Sequence, residues 1–575
     1  MGRLSLNNDT LEAYKAKLNS DANTVVTAAR MMAELEQNEI GSTEIVVTVY
    51  DKFYKPMFEC GDYLELHASW PRNQVPAGSL KLPRISPAAE TILSCDQTTV
   101  PITIEVGRLL WSGRVKIAHD NFNNPNQADF VEAELEGDYA WLTKILAWPN
   151  FLLPLQVQFP PKGVALGPAI SVLKFILGTQ AFRLQSGLWD LVNNLLSLDL
   201  DWNAWFGTAL SDSAGGIHDL MSMLRTPIYV VPTNPLIDTS PFIFVEWRMD
   251  KISSVFEQNL LDNGLVCEVN LWRPGDPQPD DSLLLQAFPL TVPTIVVDIK
   301  DRSGIVGPTG TFLDGILKTG VDLEGSVFGE ILAPFLNPNG EYAPEGFNIA
   351  PAIGVDFIKP WAVFNADNPH SGVWGKISHH TAESWRVIIG GKSPAWLDQL
   401  INATMSWILD MVMIVIGLTG IPSNLFDGLF NDVLLAFQLA DNYPRRLAMG
   451  PYGYPEVFVP GGQPYSIDGI LALAREMYNT RAYMAGQCQF RNGVPYEVGR
   501  DLFPGALASI IRDGRLWTDY ITLIDLTDTR RERADVFLQI GDGKRQENPV
   551  VRIQRRMSKA LEVINDLLLA NNAAP

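Results

Sequence analysis

The sequence predicts a multidomain α+β protein in which short antiparallel strands carry much of the core. Three observations lead there. Between residues 45 and 135, six short segments alternate apolar and polar side chains with period two, the spacing at which one face of a strand is buried and the other stays wet. At 575 residues the chain exceeds what one hydrophobic core can organise, and a prior of about 150 residues per domain divides it into roughly four units. Stretches with helical spacing interrupt the strand pattern, and one of them, near residues 396–440, is apolar enough to form a helical hairpin.

In chain order, residues 1–40 form an N-terminal helical segment. Leu11, Tyr14 and Leu18, then Val25, Val26, Ala29, Met32 and Leu35, recur at three and four, with Asp9 placed as an N-cap. The strand pattern occupies 41–149. Its inward positions are Ile45, Val47 and Val49; Leu64, Leu66, Ala68 and Trp70; Leu80 and Leu82; Val100, Ile102, Ile104 and Val106; Trp111, Gly113, Val115 and Ile117; and Val131, Ala133 and Leu135. Tyr63, Glu65, His67 and Ser69 point the other way. Short strands separated by Gly, Pro and Asn predict an antiparallel sandwich or barrel.

Pro149, Pro154, Pro160 and Pro161 break that pattern, and a helical one begins near Pro168. Leu188, Leu191, Val192, Leu195 and Leu196 fall on one wide apolar face, so 150–215 is expected to be a helical insertion adding to a neighbouring core. A second α+β module covers 216–395. Its strands are expected at 227–231, 242–247, 265–273 and 294–300, with a helix bearing Met249, Ile252, Val255 and Phe256 that stops at Asn263-Gly264. Within it, 320–395 is rich in Gly, Pro and Asn and closes with a strand near Ser384 to Gly390.

The hairpin at 396–440 has one arm at Met411 to Leu418. A second arm, capped by Ser423 and Asn424, carries Leu425, Phe426, Leu429, Phe430, Val433, Leu434 and Phe437. Asp410 interrupts the first arm, which falls short of the roughly 20 apolar residues of a membrane span. Burial within or between subunits is the favoured expectation, and membrane contact through 404–439 the minority one. The C-terminal α+β region, 441–575, opens with turns between Gly450 and Gly462. It continues with a helix from Ser466 to Tyr478, a strand at 517–526 and a terminal helix near 549–569.

Motifs for chemistry are nearly absent, so no catalytic, cofactor-binding or metal-ligating residues are expected. Gly304, Gly307 and Gly310 follow a strand, but they lack the dinucleotide spacing and the phosphate-loop lysine, and Pro308 removes a donor. A tight loop is the better reading. His370, His379 and His380 fit exposed loops better than a metal site, because adjacent residues of a strand face opposite ways. Asp280-Asp281 sits among Pro274, Pro277 and Pro279, which suits a turn more than a glycosidase pair. Cys60, Cys95, Cys267 and Cys488 are too scattered for a zinc site or disulfide framework, and buried thiols are expected. The net charge of −21 disfavours nucleic-acid binding through phosphates and would keep DNA from adhering to a channel wall. The first residues lack a charged-then-apolar signal stretch, so synthesis in the cytoplasm is expected.

Several short patches resemble one family. They are Trp70-Pro71-Arg72, Gly78-Ser79-Leu80-Lys81-Leu82-Pro83, Trp111-Ser112-Gly113, Leu135-Glu136-Gly137-Asp138, Trp141-Leu142 and Trp148-Pro149, with further matches at 293–310 and 499–505. Together they resemble the minor tail protein family that forms the tail-tip (baseplate) hub of long-tailed, non-contractile actinobacteriophages. The resemblance rests on scattered Gly, Pro and Trp positions kept in order along most of the chain.

It implies a structural virion protein and not an enzyme, with two antiparallel barrel-like hub modules at 41–149 and 216–395. Three subunits would join into a ring at the virion tail tip, a homotrimer closing the tail tube and opening for genome ejection during host entry. Its implied partners are the distal tail protein, other tail-tip proteins and the tape measure protein. The role of 293–310 is open. The alternative class is a tail-associated wall-binding or wall-degrading protein, with its 15 Trp and 15 Tyr stacking on sugars. Trp70 and Trp111 lie on the apolar face, which favours a core role for them.

Overall fold

The computed structural model describes residues 45–107, 109–122, 128–186, 227–282, 285–286, 289–327, 349–390, 437–460, 473, 476–477, 479–529 and 534–541. The expected segments 1–40 and 549–569, the apolar helix face at 188–196 and most of the helix at 466–478 lie outside the described residues.

The alternating segments form strands. In order come β1 (Ile45–Tyr50), β2 (Pro56–Glu59), β3 (Glu65–Pro71), β4 (Ala77–Pro83), helix α1 (Ala89–Leu93), β5 (Pro101–Val106), β6 (Leu109–Asn121) and β7 (Phe130–Gly137). Their inward sets are fully buried at Leu66, Ala68, Leu80, Leu82, Ile102, Ile104, Val131 and Ala133. Each Leu or Ile so buried contributes about 1.5–3 kcal/mol. The pattern missed β2 and α1, which are too short to show a period.

A second body follows, with α2 (Ala140–Lys144), β8 (Leu146–Ala147), β9 (Gly163–Pro168), α3 (Ala169–Ser186), β10 (Ile228–Val230), β11 (Phe242–Trp247), β12 (Asp250–Lys251), α4 (Ile252–Asp262), β13 (Leu265–Trp272) and β14 (Thr294–Asp301). Its main sheet runs β10-β14-β13, parallel then antiparallel. Helices α3 and α4 cover it through Leu173, Ile176, Leu177, Val255, Phe256 and Leu260. Two corrections arise here. The stretch expected to be a helical insertion contains strand β9, paired along its length with β11. Met249 lies before α4 with a left-handed φ of 59°, so it ends the β11 turn and does not belong to the helix.

The remaining elements are β15 (Ile305–Val306), α5 (Phe312–Val327), β16 (Asp356–Phe357), β17 (Ala362–Asn365), β18 (Trp374–His380), β19 (Arg386–Gly390), β20 (Phe437–Asp441), α6 (Tyr443–Met449), β21 (Glu456–Pro460), β22 (Tyr483–Arg491), β23 (Leu507–Arg512), β24 (Arg515–Thr529) and β25 (Asp535–Ile540). His379 and His380 are therefore strand residues and not loop residues. The expected hairpin at 396–440 lies outside the described residues except at its end, where 437–440 is strand. Phe437 completes a helical stripe in the sequence, but Phe437 and Leu439 also alternate, and pairing with β19 selects the strand.

The largest sheet is ordered β18-β22-β25-β24-β3-β4-β7-β6-β5-β1-β2, with β23 on β24 and β17 on β23. Among the described residues this path is open at β18 and β2, so it is not the closed barrel that the strand pattern suggested. Its centre joins the two ends of the chain. Strand β24 pairs antiparallel with β3, from Leu523 opposite Pro71 to Thr529 opposite Glu65. One core accordingly mixes Leu66, Trp70 and Ile104 with Phe364, Phe490, Ile524 and Leu538.

Candidate functional site

Because chemistry-bearing motifs are scarce, the residues to place are those of the scattered Gly, Pro and Trp patches. Five of these patches meet where the large sheet contacts the second body. Strand β13 is the edge of its own sheet, and its outer backbone groups need partners from elsewhere. Asn73, in the turn after β3, supplies two: its Nδ2 donates to Leu265 O at 2.8 Å and its Oδ1 accepts from Cys267 N at 2.9 Å. Ser112 Oγ accepts from Leu271 N at 3.3 Å. The edge is thus sealed by side chains of the first sheet.

Neighbouring contacts tie the same seam. Arg72 lies over the Tyr520 ring, 4.7 Å from its centroid, and the Tyr520 hydroxyl donates to Ser303 O at 2.6 Å. Arg302 lies over Phe503 at 4.9 Å and pairs with Glu268 at 2.5 Å. Arg273, at the end of β13, pairs with Glu105 of β5 and with Asp276 at 3.3 Å. Burial would raise the Glu268 carboxyl pKa, but Lys300 and Arg302 outweigh it and hold that pKa below its ordinary value. Trp148 O accepts from Trp247 Nε1 at 3.0 Å and Gln180 Nε2 at 3.2 Å, fixing the chain where it enters the second body.

Close approach explains two glycines of the 499–505 patch. Gly505 has φ of 77°, and a Cβ there would run into Val266 Cγ2 of β13. Gly499 has φ of 85°, and a Cβ there would stand 2.7 Å from Leu109 N. Only glycine adopts this conformation without penalty and leaves the room. Asp138, of the 135–138 patch, is buried under the seam with the Ser112 hydroxyl, the Arg114 guanidinium and the Trp141 indole around it. Burial pushes its pKa up against those three partners.

The loop after β14 resolves the phosphate question. Asp314, at the start of α5, accepts from Thr309 N at 2.9 Å, Thr309 Oγ1 at 2.7 Å and Gly310 N at 2.6 Å. An internal carboxylate therefore occupies the donor nest that a phosphate would need. Burial works against ionisation of Asp314, yet these bonds hold its pKa below the ordinary carboxylate value.

Other candidates are not brought together. Asp280 accepts from the Tyr229 hydroxyl at 2.6 Å and from Ser282 N at 2.7 Å, a turn contact. His380 stacks on Tyr483 with centroids 4.2 Å apart, while His379 faces the other side of β18. Trp70 and Trp111 are core residues. Cys60, Cys267 and Cys488 are buried free thiols and Cys95 is half-buried. Among the described residues no group of acidic, His and Cys side chains could hold a metal ion, and no helix is long and apolar enough to cross a membrane. Asn73 and Arg273 were not singled out from the sequence. The signal for Asn73 was its place between two strands, since Asn tolerates a left-handed turn, here at φ of 53°.

Several known proteins are similar to this chain. Minor tail protein Gp28 of Mycobacterium phage D29 is 24% identical over 446 residues, covering 69% of this chain and 71% of that protein. Minor tail protein Gp28 of Mycobacterium phage L5 is 24% identical over 449 residues with the same coverage. Among solved structures, the 43 kDa tail protein of prophage MuSo2 from Shewanella oneidensis is similar at 7% identity, covering 88% of this chain and 99% of that one, with a TM-score of 0.39. The tail protein from Neisseria meningitidis MC58 is similar at 8% identity, 88% and 99% coverage and a TM-score of 0.36. The match that spans both sheet bodies and the seam between them is to a family over residues 46–542, and the chain belongs to that family, the Siphovirus ReqiPepy6 Gp37-like proteins.

Proposed function

We propose that this protein is a structural minor tail protein of a siphovirus and acts as the hub of the tail tip. It is not an enzyme; the relatives that it matches are named as tail proteins. The observation that carries the reading is the seam. Residues of the family-like patches, among them Ser112, Arg302, Ser303 and Gly505, hold one sheet body against another. A hub needs its bodies joined in this way, because it transmits position from a tube above to tip proteins below. In this reading the large sheet and the second body are the two hub modules, and the ends of the large sheet at β18 and β2, open among the described residues, meet copies of the same chain about a common axis. Three copies would close the tail tube, bind the distal tail and tape measure proteins, and open for genome ejection.

Native mass measurement of the purified full-length chain tests the assembly, and immunogold labelling of intact particles tests the place. A trimer and a label confined to the tail tip are expected. A monomer absent from the particle would overturn the reading.

A further inference from the structure

The chain crosses from one body to the other at Asp138. It leaves the large sheet at Gly137, the end of β7, and enters the second body at α2. The backbone is pinned at this hinge: Asp138 N donates to Ser112 O at 2.9 Å, and Asp138 O accepts from Trp141 N at 3.0 Å. The residue is only 2% exposed, so its carboxyl has no way to water while the bodies stay docked. Neither carboxyl oxygen has a well-formed hydrogen bond, and the Trp141 indole nitrogen is equally unsatisfied. The Ser112 hydroxyl lies within reach, but its oxygen already accepts from Leu271 N of β13, across the seam.

A carboxylate ion is costly in such a place, because burial strips its hydration and nothing replaces it in full, whereas the neutral acid loses far less. The groups that face it do not repair this. Arg114 of β6 is near, yet its guanidinium lies over the Trp141 ring, 5.0 Å from the centroid. Tyr54, in the turn after β1, is near as well, and burial and the Asp138 charge together keep its phenol neutral. Tyr50 stands behind Tyr54 with ring centroids 5.8 Å apart, and its hydroxyl accepts from Arg273 of β13 at 3.5 Å. Glu136 of β7 is turned to Lys116, at 3.4 Å. The outcome is a carboxyl pKa above its ordinary value of 3.8, with burial as the largest cause.

We propose that Asp138 is a proton-operated latch on the seam: the docked bodies hold its carboxyl as the neutral acid, parting them lets it ionise, and a proton taken from water closes the hinge again. A carboxyl that binds its proton more tightly in the docked state favours docking fully below pH 3.8, and this advantage is lost as pH rises through the raised value. The latch therefore tightens in acid and loosens toward neutrality. Glu268, in the same seam, acts in the opposite sense but lower, because its pKa lies below the ordinary 4.5 and it stays ionised above that pH.

Hydrogen exchange of the full-length chain, followed upward from about pH 4.5 and corrected for the intrinsic rate at each pH, tests this. At the amides of Cys267 and Leu271, whose bonds cross the seam, protection should fall by up to about tenfold per pH unit and then level off, as one proton requires. The amides of Ile102 and Ile104 in β5 should not follow that slope. Asp138→Asn, neutral at every pH, should abolish the slope and protect the seam amides at least as well as the parent does at the alkaline end. Arg114→Met removes a positive charge that favours the ion, so it should move the levelling point to higher pH, and this can be read even where the Asn variant fails to fold. A flat profile in the parent, equal slopes in the parent and Asp138→Asn, a slope shared by β5, or a levelling point unmoved or lowered in Arg114→Met would each overturn the proposal.

Discussion

Asn73 acts as a strand residue for Cys267. From a turn in another sheet, its side-chain amide makes the two hydrogen bonds to Leu265 O and Cys267 N that a neighbouring strand would otherwise make. The edge of β13 is thereby closed to any other chain at this point, and this amide joins Ser112, Tyr520 and Arg273 in holding the two bodies together. Replacing Asn73 with Ala leaves two buried backbone groups without partners, at about 1–3 kcal/mol each. Urea unfolding should show a loss of about 2–6 kcal/mol, and hydrogen exchange should quicken first in β13. Asn73→Gly keeps the left-handed turn but not the amide, so it should recover only a minor part.

Gly505 gives a second test of the seam. At φ of 77° and with Val266 against its α-carbon, a methyl group is both strained and crowded. Gly505→Ala should lower stability by about 2–4 kcal/mol, read as a fall in melting temperature. Pairing it with Val266→Ala should return part of that loss, because the second change removes the crowding and leaves the strain. Strictly additive effects would mean that the two residues do not meet.

The Tyr520 hydroxyl is a third. It is buried and donates to Ser303 O, a carbonyl two residues beyond β14. Tyr520→Phe keeps the ring under Arg72 and leaves that carbonyl unpaired, so a cost of about 1–3 kcal/mol is expected. Chemical denaturation measures it.

How much of this was legible in the sequence follows from what each feature depends on. Most strands between Ile45 and Leu135 were plain, because period two records which side chains are buried; it failed at Ile117, which is exposed beyond a shift in register after Val115, and at Ser69, which is buried. Strands were also expected at 242–247 and 265–273, and both formed, at 242–247 and 265–272. The pairing of β24 with β3 was not, since Trp70 and Ile524 lie opposite each other although most of the chain separates them, and nothing local encodes a distant partner. For the same reason the open sheet could not be told from a barrel. Composition misled at His379 and His380, where a Gly- and Pro-rich neighbourhood suggested loops but an edge strand forms. The seam shows the same limit. Gly505 was visible as part of a family-like patch, whereas its reason, the Val266 side chain, belongs to a strand of the other body. Asn73 belonged to no pattern at all.

The last prediction concerns pH. His67 Nε2 lies 2.5 Å from Asp525 Oδ1, across the β3–β24 junction that unites the two ends of the chain. The Asp525 hydrogen bond, opposed by burial and helped by the charges of Asp525 and Glu65, raises the His67 pKa above its ordinary value of 6.5. A histidine whose pKa is higher in the folded state favours folding when protonated. Its contribution is therefore complete below about pH 6.5, the value in the unfolded chain, and fades as pH rises through the raised folded value. Both side chains are partly exposed, so solvent screening keeps the effect small, at or below about 1 kcal/mol. Stability measured by urea unfolding should decline from mildly acidic to mildly alkaline pH, and His67→Gln should remove that part of the slope while lowering stability on the acid side. An unchanged slope in the variant would assign the decline to other groups and leave His67 with a packing role alone.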